Sequence, residues 1–319
     1  MALNQRLRRS CKSDLAMEEV LSEGKNFKLV KEEELLEILK ILGQYLPDSI
    51  KFHQTVQTYL NDRVWDFHFY VTKNWPEQLV ILHFPGMTQT PNGKLYESFS
   101  VFCPCDHLDD LDLLFTEDVL VDWTRPIYLN FTHGKIMARI QEFYADKGTA
   151  ETLLGDIYVL TDTPKNDDSL DGTVITEEAE MLQLTPEHAQ TIHDLYPANH
   201  MESVEIFEKL IQKLPCFGVF SASGDLAAWM VQSYYGAMFS MQTKPEYRRK
   251  GYGIHLAKYL TKVVAKRGYL PFVVIRPEND ASKSLYTKLG FKKNFQTVRA
   301  ILRPHEMNGD GQGGGTNAC

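Results

Sequence analysis

The chain lacks an apolar run long enough to cross a bilayer. Its apolar runs, such as Leu79-Val80-Ile81-Leu82 and Phe272-Val273-Val274-Ile275, are strand-sized, far short of the roughly 20 residues a spanning helix needs. A membrane protein is excluded on this reading, and no membrane partner is expected. Cysteine is scarce: Cys11, Cys103, Cys105, Cys216 and Cys319 are an odd set of five without framework spacing, the usage of a reducing compartment rather than of a disulfide scaffold. Paired metal-ligand spacings are missing too. Cys103-Pro104-Cys105-Asp106-His107 crowds three donors together, but zinc sites need paired spacings that let the chain wrap the ion, so this run reads as a strand end or turn and no metal is expected. Positive charge is in deficit, with 34 Lys and Arg against 42 Asp and Glu and a net charge of −8. An acidic chain without a basic stripe interleaved with aromatics argues against a nucleic-acid partner. The start, Met1 to Ser10, has basic residues but no apolar signal core. A short tail and a cytosolic protein are expected, with the mitochondrion as the alternative compartment.

What is present is a globular composition, 43% hydrophobic and 24% charged over 319 residues, enough for two ordinary domains. The polar, acidic run from Thr161 to Gly172 has no hydrophobic periodicity and divides the chain as a linker. The expected organisation is a tail at 1–26, a first domain at 27–160, the linker at 161–172, a second domain at 173–304 and a glycine-rich disordered tail at 305–319. In the first domain a helix carrying Leu35, Leu36, Ile38, Leu39 and Leu42 is followed by strands near Phe52, from Phe67 to Val71 and from Leu79 to Phe84.

The densest chemical signal is Arg248-Arg249-Lys250-Gly251-Tyr252-Gly253, an R-x-x-G-x-G loop between a strand and a helix. A diphosphate needs several N–H donors converging on it, and the free amides of a helix N-terminus supply them with the positive end of the dipole. Gly251 and Gly253 can take positive φ and carry no Cβ, so the backbone can close around phosphate oxygens. Between Lys244 and Arg267 there are eight basic residues against one acid, Glu246. Of these, Lys258, Lys262 and Lys266 recur every four residues and read as a solvated helix face.

Around the loop the second domain reads as two short helices, from Thr185 to Leu195 and from Ser203 to Leu214. Strands follow at Cys216 to Ser221, Leu226 to Gln232 and Tyr234 to Thr243, then a helix burying Gly253, Ala257, Leu260 and Val264. A buried strand at Pro271 to Arg276 leads to a helix on which Ala281, Leu285 and Leu289 share one face and Ser282 and Tyr286 another, ended by Gly290. A last strand runs from Phe291 to Leu302.

This order, with R-x-x-G-x-G, Asn279, Ser282, Tyr286 and Lys288-Leu289-Gly290-Phe291, resembles the GNAT acyltransferase superfamily from about Leu182 to Leu302. Pro245-Glu246-Tyr247-Arg248, together with Phe69-Tyr70-Val71 and Asn74-Trp75-Pro76 in the first domain, is similar to the glycine N-acyltransferase-like family over both domains. The resemblance implies an α/β (α+β) GNAT fold with a mixed central sheet flanked by helices, a degenerate GNAT-like first domain without a glycine loop, and acyl-CoA as co-substrate. It implies that the amides from Arg249 to Gly253 (Arg249, Lys250, Gly251, Tyr252, Gly253) hold the pyrophosphate with Arg248 adding charge. The backbone of Met241 and Thr243 would bond the pantetheine arm, Asn279 and Ser282 would anchor cofactor or backbone, and Tyr286 would protonate the leaving thiolate. A phenol with a reference pKa near 10 stays protonated at neutral pH. In glycine-conjugating relatives a glutamate precedes the loop; the matching position here is Ala237, which cannot take a proton. His193, His200 and Glu180 are candidate substitutes, alongside a water relay. The expected function is acyl transfer to glycine or another small amine by a monomer; the alternatives are a non-catalytic acyl-CoA-binding protein and an acetyltransferase of arylalkylamines or protein N-termini.

Overall fold

The computed structural model describes residues 20–86, 98–162, 174–176 and 179–305. The first half runs β1 (Phe27–Leu29), α1 (Leu35–Gly43), α2 (Ile50–Asn61), β2 (His68–Thr72), β3 (Ile81–Phe84), β4 (Ser98–Phe102), α3 (Asp112–Phe115), β5 (Ile127–His133), α4 (Gly134–Tyr144) and β6 (Gly148–Val159). The second half repeats that order, opening on two strands instead of one. It runs β7 (Val174–Thr176), β8 (Ala179–Gln183), α5 (Ala189–Asp194), α6 (Val204–Lys213), β9 (Cys216–Ser221), β10 (Leu226–Gln232), β11 (Met238–Thr243), α7 (Tyr252–Lys266), β12 (Phe272–Ile275), α8 (Asp280–Lys288) and β13 (Lys292–Pro304).

The strands form an eight-stranded sheet, β1-β2-β3-β4-β5-β13-β6-β12, and a five-stranded sheet, β11-β10-β9-β8-β7. The halves exchange their last strands. β13, from the second half, lies between β5 and β6 of the first, and β6 carries β12 of the second on its other edge. In the first half β4 pairs with β5 in parallel, Ser98 facing Tyr128 and Phe99 facing Leu129. In the second half the matching strands, β11 and β12, lie in contact, yet among the described residues no ladder joins them. The outer edge of β11 is therefore open along a gap between the two sheets.

Three apolar clusters hold this together. One belongs to the first half, with Phe99, Leu129, Ile140 and Tyr144; one to the second, with Met230, Leu256, Leu260 and Phe291. The third is shared: Phe52 and Val56 of α2 join Phe207, Trp229 and Phe272. The segment around Phe52 is thus helix, not the strand its composition suggests. Alternating Ile50, Phe52, Val56 and Thr58 mimic a strand, but α2 is wedged between the halves and buried on nearly every side. Its polar residues reach across, with Gln54 Nε2 donating to the Leu270 carbonyl at 2.6 Å and Gln57 Nε2 to that of Gly268 at 3.1 Å.

Residues 20–26, placed in the tail by sequence, fold back on β1: Gly24 N–H donates to Phe27 O at 2.8 Å, and the Lys25 and Asn26 amides donate to the buried Glu117 carboxylate. Most of the linker (163–172) and the glycine-rich tail from 306 lie outside the described residues, as does the rest of the first tail. His305 ends the description with its N–H on Lys147 O.

Candidate active site

Gly251 caps α7 with φ 81°, the left-handed conformation that favours glycine. Its partner in the turn is Arg249, at φ 65°. Gly253, expected to share the positive φ, is helical instead. An added Cβ there would stand 3.8 Å from the Met241 sulfur and 3.9 Å from Thr243 Oγ1, at ordinary contact distance in the groove between α7 and β11. The 15-residue α7 thus presents its unpaired first-turn amides beside the open edge of β11. That groove, about 550 Å³, is lined by Met241, Thr243, Arg248, Gly251, Gly253 and Lys288 among others.

β11 is bulged. Trp229 pairs with Gln242 and Val231 with Phe239, so Ser240 and Met241 together oppose Met230, and Ser240 takes φ 52°. A bulge turns backbone groups out of the ladder and re-aims side chains. Here it faces a second cavity of about 530 Å³, walled by Phe239, Ser240, Tyr286 and Arg299 on one side and by Phe131 and Leu154 of the first half on another. Met241 and Ser282 line both spaces, which therefore adjoin.

Of the residues named from sequence, Met241, Thr243, Arg248, Arg249, Gly251, Tyr252, Gly253 and Ser282 border the loop groove, and Asn279 and Tyr286 the second cavity. Lys250 borders neither; its ammonium lies 5.7 Å from the Tyr247 ring centre. Asn279 is the cap of α8, its Oδ1 accepting the Ser282 N–H at 3.1 Å. Tyr286 is the one buried residue of α8, its hydroxyl 3.7 Å from the Met241 sulfur and 4.0 Å from that of Met230. Burial pushes its phenol well above the usual range, so it stays a proton donor. Ala281 is exposed and lines the loop groove.

None of the candidate bases lines either cavity. Ala237 is fully buried. Glu180 is exposed on β8, three strands from β11 in the sheet. His200 is exposed in a 3-10 turn. His193 fastens the segment before α6, with Nε2 2.9 Å from the Glu202 carbonyl and 3.2 Å from that of Asn199.

Sequence reasoning passed over Lys288, Ser284 and Leu285, which continue the face of Ala281 along α8 into the groove; the helical spacing was the available signal. It also missed the first half's share, Phe131, Leu153, Leu154 and Gly155, and it missed Arg299. Arg299 is buried, pairs with Glu202 at 2.9 Å and lies 4.0 Å from the Phe131 ring centre. Burial raises the Glu202 carboxyl against the pull of Arg299. No local motif announces this pair.

Asp48, Cys105 and His133 approach one another, but Cys105 Sγ is 3.8 Å from both ring nitrogens. It lies off the in-plane lone pair of either. His133 Nδ1 accepts the Lys135 N–H at 3.2 Å, while its Nε2 lies 3.9 Å from Asp48 Oδ1. Cys103, which directly follows β4, turns its buried thiol to the His107 carbonyl at 3.1 Å.

Residues 216–300 match the FR47-like protein family. The chain is 21% identical over 296 residues to glycine N-acyltransferase from Bos taurus, covering 88% of this chain and 97% of that one. Among solved structures it resembles a Drosophila melanogaster protein at 18% identity and TM-score 0.69, over 88% of this chain and 99% of that one. A tandem GNAT protein from the clavulanic acid biosynthesis pathway aligns at 13% identity and TM-score 0.50, over 86% and 97% of the two chains. With one element order carried twice, the chain is similar to a glycine N-acyltransferase along most of its length and resembles a tandem GNAT protein in fold.

Proposed function

We propose that this chain transfers an acyl group from acyl-CoA to the nitrogen of a small amine such as glycine, releasing an N-acyl amide and CoA. The observation that carries the reading is that the two cavities adjoin at Met241 and Ser282, beside the open edge of β11. A donor with an anionic head and an extended amide arm fits a helix N-terminus that leads into a strand edge. The α7 amides with Arg248 and Arg249 would hold the diphosphate, and the backbone of Met241 and Thr243 would bond the arm as a neighbouring strand does. Backbone donors freed at the Ser240 bulge would polarise the thioester carbonyl.

The amine lone pair then attacks the carbonyl carbon. The new C–N bond forms, the C–S bond breaks, the sulfur takes a proton and the nitrogen gives one up. Tyr286, held protonated, is the donor to sulfur in this reading. A cavity of about 530 Å³ with apolar walls at Leu153, Leu154, Phe239 and Val274 lies in the range that takes drug-sized ligands, which favours an acyl group larger than acetyl.

The test is thiol release from a panel of acyl-CoA donors with and without glycine. Amine-dependent release supports the reading. The lack of a carboxylate at Ala237 favours a second one, an acyl-CoA-binding protein without turnover, for which CoA would bind but no amine would speed release.

A further inference from the structure

We propose that Arg299 anchors the acceptor amine by a carboxylate, with Glu202 as the residue that positions it, so that the acceptor is a small amino acid rather than a simple or aryl amine. This rests on the transferase reading above.

A guanidinium has five N–H donors. In Arg299, Nη2 meets Glu202 Oε1 at 2.9 Å, Nη1 lies 3.9 Å from the Met201 sulfur, the Tyr196 hydroxyl also stands against the group, and Nε has no hydrogen-bond partner. The group is 4% exposed and lines the cavity that holds the bulge and Tyr286. Burying an Arg–Glu pair gives little or no net stability, and apolar replacements of both partners are often as good. A charged fork kept at a cavity wall with donors to spare is therefore better explained by what the cavity takes up.

The surroundings agree. Phe131 braces the guanidinium from below. Lys51, whose amine hydrogen-bonds to Ser100 Oγ and the Asn130 carbonyl, stands within electrostatic reach of both Arg299 and Glu202. Burial and the neighbouring Arg299 draw the Lys51 ammonium well below its usual range, so Arg299 is the cluster's lasting cation and the group an incoming carboxylate would meet. The other walls named above are apolar, so the guanidinium is the feature an anion would seek. β13 lies two strands from β12, about 10 Å at ordinary strand spacing, which leaves room for the acceptor between the anchor and the β11 edge.

The experiment uses the full chain with one productive acyl-CoA and two amines, glycine and glycinamide, which differ by the carboxylate. Wild type should favour glycine, and Arg299→Met should raise its KM about 10- to 100-fold, the loss of a charge-assisted pair, collapsing the glycine-to-glycinamide ratio toward one. Glu202→Gln should shift that ratio in the same direction by less. Because Arg299→Met alone strands a buried carboxylate, the Arg299→Met/Glu202→Leu pair repeats the test in a background that keeps its packing, with CoA titration calorimetry reporting an intact fold. Glycolate, a carboxylate without the amine, should compete with glycine in wild type and lose that competition in both variants. Equal use of the two amines by wild type, or an unchanged ratio in the folded double variant, overturns the anchor and leaves the transferase standing. No release with any amine, with CoA bound, overturns both.

Discussion

Tyr286 is enclosed by sulfur and carbon: the thioethers of Met230 and Met241 at its hydroxyl, the Phe291 ring 5.1 Å away edge-on. Removing that hydroxyl costs little packing, so Tyr286→Phe should change stability by less than about 1 kcal/mol. If the phenol protonates the leaving sulfur, the same variant should lower kcat by about 100-fold or more; an unchanged kcat would exclude the acid role. The residue also leaves a mark on stability against pH. An unfolded phenol ionises near 10, whereas burial holds the folded one protonated above that. Above that pH the folded chain binds more protons than the unfolded one, so the contribution is complete below about pH 10 and declines as pH rises past it. Urea melts of Tyr286→Phe should show a shallower alkaline decline than wild type. This residue was legible because its signal is local, a tyrosine one turn beyond Ser282 on a helix capped by Asn279. Arg299 and Glu202 were not, since 97 residues separate them and neither neighbourhood has a pattern.

Two elements make the donor side of the site, α7 and the bulged β11. The turn into α7 depends on Gly251, where a Cβ would be held in the left-handed region at a cost of about 1–2 kcal/mol. Gly251→Val should lower the melting temperature and weaken CoA binding together, measured by calorimetry on the folded variant; unaltered binding would show that the α7 amides do not hold the diphosphate. In wild type, CoA at a hundredfold excess over its Kd should stabilise the chain by about 2.7 kcal/mol, and Gly251→Val should lose most of that at the same concentration. The glycine loop could be read from sequence because turn φ and free helix-end amides are decided within a few residues. That reasoning still erred on Gly253, where neither φ nor clearance demands glycine, since an added Cβ would meet Met241 and Thr243 only at ordinary contact distance. α2 misled for the opposite reason: β-branched and aromatic residues at alternate positions favour a strand, but burial between two halves overrides local preference.

At the scale of the molecule, the strand exchange joins the halves more firmly than a linker would. β13 pairs with β6 along its length, from Lys292 opposite Val159 to Pro304 opposite Gly148. Residues 173–304 alone would leave β13 without both neighbours and β12 with a bare edge. We expect that fragment to lack a cooperative thermal transition and to aggregate, while the full chain melts in one step by calorimetry; a soluble fragment with its own sharp melt would show that the exchanged strands are dispensable. The first half also walls the second cavity through Phe131, Leu153 and Leu154, so a Leu154→Arg substitution should impair turnover without touching the glycine loop.

The sequence by itself determined the elements that depend on near neighbours: the R-x-x-G-x-G turn, the capped helix bearing Tyr286 and the meander from Cys216 to Gln232. Which strands lie side by side was decided only in three dimensions. A strand such as β13, buried without alternation from Thr297 to Ala300, reads the same whether it completes its own half's sheet or the other's, because a buried run specifies that the strand is covered and not which partner it pairs with. The pairing of β13 with β5 and β6 is what brings Arg299 to Phe131 and Glu202, and with them the wall of the cavity where we place the acceptor.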